Sequence, residues 1–432
     1  MSTSPSLGAA AFVSEPTSLW EVPAFRHYLA GIVLVTLANQ MQGTVVAYQL
    51  YELTHDPLSL GAVGLAEALP FISFALVGGH VADARDRRSI ALVVLTLASL
   101  LSFALLGFTL LHGVLGATRH KWSIYGVIAL LGVCRSFLQP ARAALNAEVL
   151  PPSLYAKAIA VRTSLFQLAM VSGPAAGGLV YAAAGPQVAY GVAAALLGLA
   201  WFETQRIPRI RLTPPLKTDK AFGHSVREAF RYLRADRLLL PALQLDLFAV
   251  LFGGATALLP VFANEILHVG SRGFGALRAA PAVGALTASL VLAHRAPLQH
   301  AGKTMLLAVC VFGVSTIAFG LSRSFFLSLV LLALAGAGDM VSVIVRSTLL
   351  QLRVPGYLLG RIASINQIFI GSSNEIGAFE SGVAARLLGT VPAVVFGGSM
   401  TLLVAAVTAM RAPELRKLGS LAQWASKTGT AR

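Results

Sequence analysis

The sequence predicts an all-α membrane protein of twelve transmembrane helices in two pseudo-symmetric six-helix halves. Three observations predict it. Only 12% of the 432 residues are charged and 56% are hydrophobic, whereas a soluble chain is about a quarter charged. Apolar runs of about 20 residues, the length that crosses a bilayer core, occur twelve times. The two blocks of six runs also match one another without gaps over long stretches, the mark of an internal repeat.

The tail 1–27 has no Lys or Arg before Arg26 and no charged stretch leading into an apolar run, so no cleaved signal is expected. Six spans follow at about 28–50, 58–81, 89–111, 122–145, 156–184 and 187–203, giving an N-terminal half of 28–203. Segment 204–237 is polar and basic, and its stretch AFGHSVREAFRYLRADR has the pattern of an amphipathic helix on a membrane surface. Six more spans, at about 238–263, 273–294, 303–322, 325–349, 361–388 and 391–411, form the C-terminal half of 238–411, followed by a tail of 412–432. Several spans are rich in Gly, Ala and Ser, which lets helices pack closely without a water-driven core.

The formal net charge is +15. Arg85, Arg87, Arg88, Lys157, Arg295, Lys303, Arg353 and Arg361 fall on the side of the tails and the linker, against Arg119, Lys121, Arg272 and Arg323 on the other. Cytoplasmic loops carry the Lys/Arg excess, so both termini are expected in the cytoplasm and the chain in the cytoplasmic (inner) membrane. The basic excess is then topological and lipid-attracting, which argues against a nucleic-acid partner. Cys134 and Cys310 lie in apolar runs and imply neither disulfide nor metal cluster. The nine histidines fall mainly at span ends and in loops and read as interfacial residues rather than ligands.

The repeat places charge against charge. LLGVCRSFLQPARAALNAEVLPP aligns with LAGAGDMVSVIVRSTLLQLRVPG, so that Arg142 falls on Arg346 and Pro151 on Pro355. GLAEALP aligns with GALRAAP. In these alignments Arg135 falls on Asp339, and Glu67 on Arg278. Parallel repeats place the substrate site between the halves near the midplane. The opposite charges either face each other there as breakable pairs or are satisfied within their own halves. Asp339, Ser342 and Arg346 share a face of the tenth span, and Asn39, Gln42 and Gln49 a face of the first. Both stripes either line a polar cavity or bond between helices. Asp246, two turns into the seventh span, is a further cavity or ion-pair candidate.

The eleventh span contains NEIGAFESG, with Asn374, Glu375 and Glu380. A carboxylate in hydrocarbon costs roughly 2.5–3.5 kcal/mol or more. At 100° per residue the two glutamates are about 140° apart, which predicts separate roles. One would sit at the contact between halves and the other toward the cavity or another partner.

The short basic connection GHVADARDRR, with Gly79, Asp83, Arg87 and Arg88, resembles the signature G-x-x-x-D-R-x-G-R-R of the major facilitator superfamily. Ala84 replaces the usual basic residue and Asp86 the usual glycine. The resemblance implies that this cluster gates the cytoplasmic side by making and breaking ion pairs. GPAAGG, with Gly173, Pro174, Gly177 and Gly178, is similar to the G-P-x-x-G-G motif of antiporters in that superfamily, and favours export over uptake. Arg135 resembles the basic residue implicated in proton coupling among its drug–proton antiporters. With YELTHDPLSLGAVGLAEALPF, LDLFAVLFGGATALLPVFA, RAAPAVGA, DMVSVIVRSTLLQL and NEIGAFESG, the likeness extends over essentially all spans to the enterobactin-exporter-like branch.

The function expected is export of a small siderophore- or drug-like molecule by alternating access, coupled to proton influx. The full phosphate-binding loop Gly-x-x-x-x-Gly-Lys-Ser/Thr for ATP does not occur, and no cofactor is called for. The coupling candidates are Glu67, Asp246, Asp339, Glu375 and Glu380, with Arg135, Arg278 and Arg346 as partners or substrate anchors, because burial in low dielectric favours a carboxyl that takes up a proton. The partners expected are the bilayer, the substrate and protons, around a monomer. Uptake, lipid flipping and sensing are the competing readings. An enzyme is not expected, since neither a nucleophile elbow nor a His-Glu-x-x-His cluster occurs.

Overall fold

The computed structural model describes residues 18–149, 154–208, 222–294 and 298–420; tail residues 1–17 and 421–432 and linker residues 209–221 lie outside them. Among the described residues all regular structure is helical. The first half contains α1 (Pro23–Thr54), α2 (Pro57–Ala84), α3 (Arg87–Leu110), α4 (His112–Val149) and α5 (Tyr155–Gln205). After the linker helix α6 (Phe222–Ala235), the second half runs through α7 (Leu239–Phe252), α8 (Leu259–Val261), α9 (Gly270–His294), α10 (Ala301–Leu321), α11 (Phe325–Arg353), α12 (Gly356–Leu388), α13 (Thr390–Arg411) and α14 (Pro413–Arg416).

Among the described residues ten helices are long and apolar enough to cross a membrane. Two features reconcile ten with the twelve spans expected. The fifth and sixth spans form the single element α5, whose 51 residues would extend roughly 75 Å if straight. It turns at Gly185, where φ is +77°, a region costly to residues with a Cβ. The other is α12, which carries Arg361, Glu375, Glu380 and Arg386 and is not among the ten. The seventh span is also not one helix. It breaks at Gly253-Gly254, passes through a 3-10 turn and α8, and ends in a π turn at Phe262–Ile266.

Within the first half α1 packs on α5, α3 on α4 and α5, and α2 on α4. Within the second, α9 packs on α11, α10 on α11 and α13, and α7 on α12 and α13. The helices α9 and α11 touch backbone to backbone, since a Cβ on Gly284 would collide with the carbonyl of Ala333, and one on Gly336 with that of Pro281. Gly284→Val is therefore expected to lower the melting temperature of purified protein by about 5 °C or more, read by thermal unfolding in detergent.

The halves meet along two seams, α2 against α12 and α5 against α9. By the repeat these seams are counterparts, α2 corresponding to α9 and α5 to α12. Gly61 abuts Gly382, and Gly178 abuts Gly275. Both contacts lie toward the end where α1 turns into α2 and α12 into α13, opposite the end that bears α6 and the tails. This end of the bundle is closed.

Candidate transport site

At mid-depth of the α2–α12 seam, glycines bring three helices within side-chain reach. A Cβ on Gly64 would fall 2.7 Å from the carbonyl oxygen of Glu375, and one on Gly132 of α4 would collide with that of Glu67. Arg135 of α4 exploits this proximity. Its Nη1 donates to Glu67 Oε1 at 2.7 Å and to Glu375 Oε1 at 3.3 Å. Its guanidinium lies over the ring of Phe71, 5.0 Å from the centroid. Arg278 of α9 interacts electrostatically with both carboxylates, and its Nη2 would lie 3.2 Å from a Cβ on Gly43 of α1. Two arginines and two glutamates, one of each from each half, thus form a charge-balanced tetrad. Glu375 is the glutamate at the contact between halves. Glu380 is half-buried and forms no ion pair among the described residues.

A second ionic cluster lies inside the C-terminal half. Arg346 of α11 pairs with Asp246 of α7, their side chains 4% and 5% exposed. Asp339 interacts electrostatically with both. Ser342, one turn from Asp339, is buried, and its Oγ has no partner among the described residues. The repeat puts Arg135 and Asp339 at matched positions, each partly buried, but the structure does not bring them together. Asp339 has Asp246 and Arg346 of its own half as charged neighbours, and Arg135 reaches Glu67 and Glu375 instead. Glu67 and Arg278 do share a cluster.

The amide stripe of α1 bonds within the first half. Ser102 Oγ donates to Gln42 Oε1 at 2.6 Å. Gln49 accepts from Tyr190 Oη at 2.7 Å, donates to Thr109 Oγ1 at 3.2 Å and lies 3.3 Å from His120 Nε2. His120 is fully buried, unlike the interfacial position expected of the histidines. Gln49, Thr109, Glu52 and Tyr181 also line a small cavity of about 260 Å³. Asn39 and Asn374 are exposed, and Asn374 Nδ2 bonds its own helix at Ile370 O, 2.8 Å.

In the basic connection Arg88 donates to the Gln205 carbonyl, and Arg87 Nε to that of Ala82 at 3.4 Å. The side chain of Asp83 lies outside the described residues. Asp86, which departs from the family signature, caps α3 by accepting from Arg88 N and Ser89 N. A glycine at 79 suggests close helix approach, yet nothing lies within 4 Å of a Cβ there. The GPAAGG glycines do permit close approach. Gly173 and Gly177 pack on Gln40 and Met41 of α1, and Gly178 on Ser271 and Gly275 of α9.

Sequence reasoning missed the polar latch at the closed end. Tyr48 donates to Asn264 Oδ1 at 2.6 Å, Tyr51 to Glu265, and Arg386 to Asp56 at 3.3 Å. Each crosses from one half to the other. A signal existed, because YELTH at 51–55 corresponds to NEILH at 264–268. The repeat persists in the backbone, where His55 and His268 both have positive φ, 48° and 52°.

Comparison with known proteins follows the same lines. The chain is 26% identical over 412 residues to the enterobactin exporter EntS of Citrobacter koseri, and 28% identical over 414 residues to that of Shigella dysenteriae serotype 1. Each alignment covers 91% of this chain and 93% of the relative. In fold it is similar to a bacterial homologue of the iron transporter ferroportin in an inward-facing state (TM-score 0.70, 14% identity, 95% of this chain and all of that one). It is likewise similar to a point mutant of the nucleoside transporter NupG (TM-score 0.69, 13% identity, 90% and 99%). The family model of the Major Facilitator Superfamily matches residues 28–378, and the chain belongs to that superfamily of membrane transporters.

Proposed function

We propose that this protein exports a small organic molecule of siderophore or drug size across the cytoplasmic membrane, in exchange for protons. The two halves rock about the tetrad. One observation carries the reading: Arg135 is held at once by Glu67 of its own half and Glu375 of the other. Separating the halves at this seam must break the second pair, so the tetrad sets the cost of moving between the closed and open arrangements. The GPAAGG packing of α5 on α9 and the exporter relatives support the outward direction. With the tails, α6 and the Lys/Arg excess in the cytoplasm, the latch closes the outer end.

The test is substrate-dependent proton movement in proteoliposomes, screened with iron chelators and amphiphilic drugs. Coupled proton and substrate fluxes in opposite directions are expected. Substrate flux indifferent to an imposed pH gradient would remove the antiport reading, and flux parallel to the protons would make the protein an uptake permease.

A further inference from the structure

The two ionic clusters differ in charge balance. The seam tetrad has two guanidinium groups for two carboxylates. The cluster of Asp246, Asp339 and Arg346 has one guanidinium for two carboxylates, in a pocket where Asp246 and Arg346 are almost completely buried. Fully ionised, it would hold an unbalanced negative charge on partly buried Asp339 beside an ion pair almost wholly removed from water, an arrangement a protein interior tolerates poorly. The repeat supplies an internal comparison. Arg142, the counterpart of Arg346, also reaches back to the first helix of its own half, but its Nη2 donates to the backbone carbonyl of Gly31 at 3.1 Å. Among the described residues the fold thus holds this arginine in place without a carboxylate. The second half sets two beside its own arginine.

From this we infer that the Asp246–Asp339–Arg346 cluster, and not the glutamates of the seam, is the site that binds the transported proton, one per cycle, with Asp339 as its carrier. Asp246 keeps Arg346. Asp339, whose carboxylate accepts no hydrogen bond among the described residues, takes the proton from the acidic aqueous side and returns it to the cytoplasm. The Ser342 hydroxyl, a turn away, can accept from the protonated carboxyl or donate to the carboxylate. The other titratable or charged groups on the packed helices face elsewhere. Arg278 of α9 and Glu375 of α12 belong to the tetrad, and Glu380 of α12 is a turn further toward the closed end. Arg353 of α11, with Lys303 of α10, Arg361 of α12, Arg411 of α13 and the charges of α6, lies toward the tail end. Cys310 of α10 is an uncharged thiol. The tetrad is then a lock that registers whether the halves are together.

This inference rests on the proton-exchange reading, and the two are separable by experiment. Infrared spectroscopy of the purified protein in lipid at neutral pH reports the C=O stretch of a protonated carboxyl directly, without transport. The band is expected in the wild type, Glu67→Gln and Glu375→Gln, and lost in Asp339→Asn. Asn presents a neutral side chain of the size of the protonated carboxyl, so the melting temperature of Asp339→Asn should be close to that of the wild type. Asp246→Asn serves as a second variant if Asp339→Asn fails to fold, and should likewise lose the band. Substrate-driven proton release should fall at least ten-fold in Asp339→Asn. Persistence of the band in both Asp variants, its loss in Glu375→Gln, or its absence from the wild type would overturn the assignment. A band that maps to Asp339 in a protein whose substrate flux ignores the pH gradient would leave the proton site standing and remove antiport.

Discussion

Replacing Gly178 with leucine is expected to reduce transport at least ten-fold while leaving a folded protein. A Cβ at this position falls 2.5 Å from the carbonyl oxygen of Ser271 and 2.7 Å from the Cα of Gly275. A Cβ on Gly275 in turn falls 2.8 Å from the carbonyl of Pro174. The clash is between backbones, so no rotamer relieves it. It also lies between halves, so neither half loses its own packing. Overpacking of about 1–3 kcal/mol shifts the balance between closed and open outer ends by about 5–150-fold. The protein should therefore accumulate with its latch parted. A cysteine placed at Asn264, in a Cys134→Ser, Cys310→Ser background, should react with an impermeant thiol reagent at least ten-fold faster when Gly178 is replaced by leucine. Gly107→Leu is the control, since nothing lies within 4 Å of a Cβ there, and it should transport within two-fold of wild type. Normal transport by Gly178→Leu would show that the α5–α9 contact is not part of the gate.

The second large effect is expected at Arg135. Removing its charge by Arg135→Gln leaves Glu67 and Glu375 facing each other across the seam with only Arg278 nearby. Breaking a buried pair from one side costs about 3–5 kcal/mol. The three side chains are 20–35% exposed, which places the cost toward the lower end. Transport should fall by about two orders of magnitude. Glu375→Gln should be milder, about ten-fold, because Arg135 keeps Glu67. Arg135→Lys should not restore full activity, since a shorter ammonium replaces the planar guanidinium that lies over the Phe71 ring while its Nη1 serves both carboxylates. Vesicle efflux assays of the three variants decide this, and an Arg135→Gln protein more active than Glu375→Gln would reverse the roles assigned to the tetrad.

The charged residues were legible because an ionisable group stands out in an apolar run. Which of them meet was less so. The repeat relates depth along the helices, and depth alone placed Arg135 opposite Asp339. Actual pairing depends on helix rotation and on the close approaches at Gly64 and Gly132, which sequence periodicity leaves open. The same limit applied to Glu375 and Glu380. Their angular separation was readable and their division of labour followed, but only the packing of α12 on α2 selects Glu375 for the seam. The broken seventh span was visible as Gly253-Gly254 and Pro260 within an otherwise apolar run. The latch tyrosines were hidden because they lie near span ends, where polar and aromatic residues are ordinary.

The balance of the seam tetrad has a consequence for membrane voltage. A unit charge crossing the full field gains or loses about 2.3 kcal/mol per 100 mV. Two arginines and two glutamates that move together sum to zero, so the rocking of the seam is electrically silent. Voltage would then act on the other cluster alone, favouring return of the empty carrier in one direction and leaving the loaded carrier unbiased.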